Sequence, residues 1–174
     1  MVCDNAITHQ TNQLNISIMK TKTTITELSH DDLVDLFSTA LSGSNYLEAD
    51  YTNRSLREDE DCLEDILAKN LLNGDTVVIT DWYAEGCVYG NLNHTIDEED
   101  ACTHYDVNIK DIIRGLERAA DGTFNAGDDE WTEQTKRSAR VSFDSFMDED
   151  RCYFDLVRAD ILMQIIIFDE IIYG

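Results

Sequence analysis

Apolar residues recur at helical spacing in five stretches of the chain and at strand spacing in fewer. Ser29, with Asp32 three positions on, makes a capping-box start. Leu33, Leu36, Phe37, Ala40 and Leu41 then fall on one face, and Ser42-Gly43 ends the run. A second helix is expected from about Glu58 to Leu72, with Leu63, Ile66, Leu67 and Leu71 on one side and Asn73-Gly74 as a left-handed stop. Asn108 is placed to cap a third helix, with Asp111 in its first turn. Ile109, Ile112, Ile113, Leu116 and Ala120 form its stripe as far as Gly122. A fourth runs from about Thr135 to Met147 on imperfect periodicity, through Ala139, Val141, Phe143 and Phe146. The fifth, about Asp155 to Phe168, is apolar nearly all round, which marks the central core helix of a domain.

Strand signals are shorter. Thr76 to Trp82 is rich in β-branched residues, a second strand is expected around Cys87–Tyr89 between Gly86 and Gly90, and residues 105–109 read as a short strand feeding the third helix. Residues 44–57 read as an irregular or extended connector, and Asn91–Thr103 as an acidic loop. The ending, from Asp169, either continues the fifth helix or turns extended onto the sheet. Helices outnumber strands, so the expected fold is α+β: a small antiparallel sheet packed by about four to five helices. Residues 1–22, opening on a run rich in Asn, Thr and Gln, are expected to form a flexible N-terminal extension, and 23–174 a single globular domain.

Charge changes the picture most. The chain carries 36 Asp and Glu against 13 Lys and Arg, for a net charge of −23. Residues 1–47 hold 5 acids and 2 bases, so −3, which leaves −20 on residues 48–174. Such a field repels phosphate backbones and anionic lipid, so neither direct nucleic-acid binding nor membrane binding is expected. There is no apolar stretch of membrane-spanning length. Five cysteines without a C-x-x-C pair, and no secretory signal, point to reduced thiols in a cytoplasm. The acidity itself has three readings: solubility, attraction of a basic protein partner, or a cation site.

The candidate partner-binding residues are the acidic clusters. Glu58, Asp59, Glu60 and Asp61 stand at the expected start of the second helix, more acids than its dipole needs. Asp97, Glu98, Glu99 and Asp100 lie in the expected loop, Asp128, Asp129 and Glu130 precede the fourth helix, and Asp148, Glu149 and Asp150 follow it. None of these fits the calcium-loop pattern.

Candidate chemistry is sparse. No G-x-S-x-G, P-loop or G-x-G-x-x-G is present, so no enzyme activity and no cofactor are expected. Cys87, His94, Cys102 and His104 fall in a C-x6-H-x7-C-x-H array that lacks the tight ligand pairs of structural zinc sites. Trp82 and Tyr83, with Tyr89 and Tyr105, form either a recognition patch or alternate members of the sheet core.

The ending ADILMQIIIFDEIIYG resembles the carboxyl-terminal signature of small acidic proteins encoded on bacterial prophages and mobile elements, a pattern like D-A-D-x-x-x-Q-x-x-x-F-G-E-I-V-Y-G. Ala159, Asp160, Gln164, Phe168, Glu170, Ile171, Tyr173 and Gly174 match it. Arg158 replaces its opening aspartate and Asp169 its glycine. LLNGDTVVITD, followed by VNIKDIIRGLERA, is similar to the strand–loop–helix unit of such proteins. The resemblance covers a minority of the chain and brings no catalytic residues. It implies an accessory role in a mobile element, a setting in which small acidic proteins include antirestriction and anti-CRISPR inhibitors, some of them DNA mimics.

The expectation is therefore an acidic protein-binding module with a basic protein partner, most sharply a DNA-mimic inhibitor of a restriction or CRISPR-type protein. A homo-oligomer assembled through helix 155–168 and a small Cys/His metal-dependent protein are the alternatives.

Overall fold

The computed structural model describes residues 22–57, 61–127 and 130–173. In chain order the elements are α1 (His30–Gly43), β1 (Leu47–Tyr51), α2 (Leu63–Asn73), β2 (Val77–Asp81), β3 (His94–Asp97), β4 (Cys102–Val107), α3 (Ile109–Asp121), α4 (Thr132–Met147) and α5 (Leu156–Phe168). A short 3-10 turn, Arg54–Leu56, leads from β1 toward α2. The four strands form one antiparallel sheet in the order β1-β2-β4-β3. The fold is α+β, as the periodicities predict.

Local chemistry sets most helix ends. Ser29 Oγ accepts from the Asp32 amide at 3.1 Å while the Asp32 carboxylate accepts from the Ser29 amide at 2.7 Å, a reciprocal box in which Asp replaces the usual Glu. Asn108 and Asp111 repeat the arrangement at α3. Gly74 and Gly122 end α2 and α3 in left-handed conformation. Two boundaries move. α2 begins at Leu63, with Cys62 as its N-cap residue and Glu64 and Asp65 in its first turn, so Asp61 precedes the helix. α4 begins at Thr132, one turn earlier than its stripe suggested.

α5 is the core helix: every residue from Leu162 to Phe168 is buried, and α1, α3 and α4 all pack on it. Gly115 of α3 makes the closest approach possible. A Cβ there would lie 2.6 Å from the Ile166 Cα, so only glycine admits this crossing.

The sheet departs further from expectation. β1 arises within the stretch read as a connector, and β3 within the stretch read as an acidic loop. The strand expected at Cys87–Tyr89 does not form. Positive φ at Gly86 (76°) and Gly90 (71°) bends this segment into turns, and the Tyr89 amide donates to the Tyr105 hydroxyl at 3.0 Å instead of joining a ladder. Leu47, Ala49, Val77, Ile79, Tyr105 and Val107 turn one face of the sheet toward the helices and are buried there.

The question left open by the ending is settled by Asp169, whose φ of 60° reverses the chain at the end of α5. Asp169 is the residue that stands where the pattern the ending resembles has glycine. The tail then runs back, with Glu170 bridged to Asn125. No described helix is long and apolar enough to cross a membrane.

Candidate functional site

Three places could carry function, and they differ in chemistry. The first is the outer face of the sheet. Alternation along the strands points Glu48 and Asp50 of β1, Val78 and Thr80 of β2, Thr95 and Asp97 of β3, and Cys102, His104 and Asp106 of β4 away from the helices. Glu48, Asp50, Thr95 and Asp106 are exposed. Among the described residues, the four strands contain five acids and no lysine or arginine, and only Asp81 of those acids faces inward. By contrast α3 and α4 together hold six bases (Lys110, Arg114, Arg118, Lys136, Arg137, Arg140) against five acids, while α1, with Asp31, Asp32 and Asp35, holds three acids and no lysine or arginine. Arg54 reaches Asp50 at 3.7 Å from the flank. The Trp82 indole N–H donates to Glu48 at 3.0 Å, which sets an aromatic ring, 42% exposed, beside the acids.

The predicted acidic clusters occupy separate elements. Asp97 closes β3, and its Oδ1 accepts from the amides of Glu99 (3.0 Å) and Asp100 (3.2 Å), which shapes the turn into β4 and leaves Glu98, Glu99 and Asp100 exposed at the edge of the acidic face. Asp148, Glu149 and Asp150 form the exposed α4–α5 turn, where Asp148 accepts from the Asp150 amide. Arg151, next along, pairs with Asp32 and Asp35 of α1. Asp61 is engaged by Lys69 at 2.8 Å and largely covered, so it is a structural ion pair more than a free surface charge. Glu130 is exposed ahead of α4. Glu58, Asp59, Glu60, Asp128 and Asp129 lie outside the described residues. Among the described residues, the Asp97–Asp100 cluster adjoins the acidic sheet face. Glu48, Asp50 and Asp106 were missed from sequence, although the alternation in L-E-A-D-Y carries the signal.

The second place is an open groove of about 700 Å³ where α1, α5 and the tail meet, lined by Tyr46, Tyr83, Leu156, Val157, Ile172 and Tyr173 among others. Tyr46 donates to Asp160, and the Tyr173 hydroxyl donates to Asp81 at 2.9 Å. Gln164 ties the groove together: its amide group donates to Asp160 and to the Tyr173 carbonyl, and its oxygen accepts from the amides of Ile172 and Tyr173, all at 2.7 Å. Burial, and then the hydrogen bond to Asp160, push the Tyr46 phenol far up, and burial with Asp81 does the same to Tyr173. Burial also raises the Asp81 carboxyl, against the pull of the Tyr173 hydroxyl and the Tyr83 and Ala84 amides. Both phenols are neutral donors: Tyr173 ties the tail to the end of β2, and Tyr46 bonds α5. The signature residues Asp160, Gln164, Phe168 and Tyr173 thus form a clamp, with Phe168 packed on Tyr89, Tyr105 and Tyr173.

The third place is the Cys/His array, which the fold divides. Cys87 is exposed in the β2–β3 connection, and His94 turns its Nδ1 to the Leu92 carbonyl at 3.0 Å and its ring toward Tyr105. Cys102 and His104 stand together on the outer face with Asp97. The four described cysteines are all free thiols. The aromatic run is divided as well: Trp82 and Tyr83 are exposed, Tyr105 is fully buried. The proposed oligomer surface on helix 155–168 also fails in its Ile-rich half, since Ile165, Ile166 and Ile167 fill the core; only Leu156 and Val157 in the first turn are exposed.

No protein-family model matches the chain, and neither a curated protein nor a solved structure matches it at a significant level.

Proposed function

We propose that this chain is an acidic protein-binding module, of the kind its signature resembles in mobile elements, which docks a basic protein partner on the outer face of its sheet. The observation that carries this reading is the acidity of the sheet's outer face: Glu48, Asp50, Asp97 and Asp106 on β1, β3 and β4, no lysine or arginine in any of the four strands, and the Asp97–Asp100 turn continuing the same surface. A rigid sheet displays such charges at fixed spacing, and complementary potential gives fast, salt-sensitive association. Trp82 supplies the aromatic anchor that binding hot spots favour. In its sharpest form the module is a DNA-mimic inhibitor that occupies the nucleic-acid groove of a restriction or CRISPR-type protein. No catalytic step is assigned.

The test is a pull-down from host lysate at low salt, eluted by a salt gradient and separately by duplex DNA. A basic nucleic-acid-binding protein should be released by both, and the triple variant Glu48→Gln, Asp50→Asn, Asp106→Asn should bind it several-fold more weakly. A partner that ignores salt, duplex and the triple variant alike would refute the reading.

A further inference from the structure

The outer face holds a donor set that linear spacing concealed. Cys102 and His104 are two residues apart on β4, so their side chains share one face. Asp97 is the cross-strand partner of Cys102. One ligand atom from each of the three lies within 4.8 Å of the others. Cys102 Sγ stands 3.7 Å from His104 Nε2. In a tetrahedral zinc site, with Zn–S about 2.3 Å and Zn–N about 2.0 Å, those two corners are about 3.5 Å apart. The strands therefore hold sulfur and nitrogen almost at coordination distance before any ion arrives.

His104 is also oriented from behind. Its Nδ1 lies 2.8 Å from Thr80 Oγ1, on the cross-strand partner of His104 in β2. With the proton on Nδ1 donated to Thr80, Nε2 turns its lone pair toward Cys102. That is the tautomer and ring orientation a ligating histidine requires from its supporting residue. Cys102 is buried while Asp97 and His104 are half-buried, so the sulfur forms the floor and the other two donors the walls.

We propose that Asp97, Cys102 and His104 bind a zinc-class divalent cation, with a fourth coordination position left for water or for a donor from outside the chain. One thiolate, one imidazole and one carboxylate suit zinc or cobalt and disfavour calcium and magnesium, which take oxygen ligands. Placement on paired strands, not on a loop, fixes the geometry.

The experiment titrates chelator-treated full-length protein with Zn²⁺ by calorimetry and with Co²⁺ by absorption. A variant with serine at Cys3, Cys62, Cys87 and Cys152 leaves Cys102 as its one thiol. The expected result is one ion per chain in both proteins and a sulfur-to-cobalt charge-transfer band. That band should vanish in Cys102→Ser, affinity should fall at least tenfold in His104→Ala and Asp97→Asn, and about 10–100-fold in Thr80→Val. His94→Ala should change nothing, and excess Ca²⁺ should not compete. No binding at micromolar metal, or a band that survives Cys102→Ser, would overturn the proposal. Should Cys102→Ser lose its fold by circular dichroism, Thr80→Val and Asp97→Asn decide it: affinity unchanged in both would overturn it equally.

Discussion

The hydroxyl of Tyr173 donates to the carboxylate of Asp81 across 2.9 Å, joining the tail to the end of β2. Asp81 is fully buried, and its other oxygen accepts from the Tyr83 amide at 2.9 Å. Removing one donor from a buried carboxylate costs more than removing one from a neutral acceptor. Tyr173→Phe should therefore destabilise the protein by about 1.5–3 kcal/mol, read from urea unfolding. In an Asp81→Asn background the same change should cost only about 0.5–1.5 kcal/mol. Equal costs in both backgrounds would show that the charge of Asp81 plays no part.

Gln164 meets the tail in a different way, through backbone amides. Gln164→Leu keeps the volume and leaves the amides of Ile172 and Tyr173 without their acceptor. Hydrogen exchange at those two amides should rise sharply, while exchange in the middle of α5 follows only the global loss of stability. Uniform exchange across tail and helix would show that the tail is not a separate unit.

The elements that could be read from sequence are those whose chemistry is local. Ser29 with Asp32, Asn108 with Asp111, and Gly74 each act within one turn, so α1, α3 and the end of α2 lie where their residues place them. The sheet was harder. β3 contributes a single apolar residue, Ile96, and exists because β4 supplies its partners; nothing within four residues announces that. Cys87–Tyr89 has strand composition, yet two positive-φ glycines bend it away. The acidic clusters were visible as charge, but their separation, and the gathering of Glu48, Asp50 and Asp106, follow from strand order. Likewise the Cys/His array lacks the ligand pairs of structural zinc sites along the sequence, but on a strand the one-residue gap puts Cys102 and His104 on one face.

The crossing of α3 over α5 gives a third test. Gly115→Ala brings a Cβ to 2.6 Å from the Ile166 Cα, and backbone cannot rotate out of the way. The helices must separate, at about 1–3 kcal/mol for overpacking, despite the better helix propensity of alanine. Thermal unfolding should show the loss, and Ile166→Val should not restore it, because both 2.6 Å contacts, the Ile166 Cα and Cγ1, are atoms that valine keeps.

Acid stability offers a fourth. Burial works against the Asp32 carboxylate, but the Ser29 hydroxyl and amide and the Arg151 guanidinium together hold its pKa below the usual carboxylate value. A folded-state pKa below the unfolded one stabilises the fold above the unfolded value and loses that contribution as pH falls through the folded one. Asp32→Asn should therefore weaken the protein at neutral pH and flatten the acid limb of its stability curve. Self-repulsion from the net charge also falls as pH approaches the pI near 4.1, so the comparison of wild type with variant, not the wild-type curve, isolates Asp32. Parallel curves would show that ionisation of Asp32, through Ser29 and Arg151 together, contributes nothing.

The clamp on the tail also has a consequence for synthesis on the ribosome. The sheet is complete in sequence by Val107, but the helix that fills its core follows about fifty residues later, and Tyr173 emerges after that. Until then the nascent chain exposes the apolar faces of β2 and β4, and Asp81 lacks its Tyr173 donor, so the core closes only once α5 and the tail have left the exit tunnel.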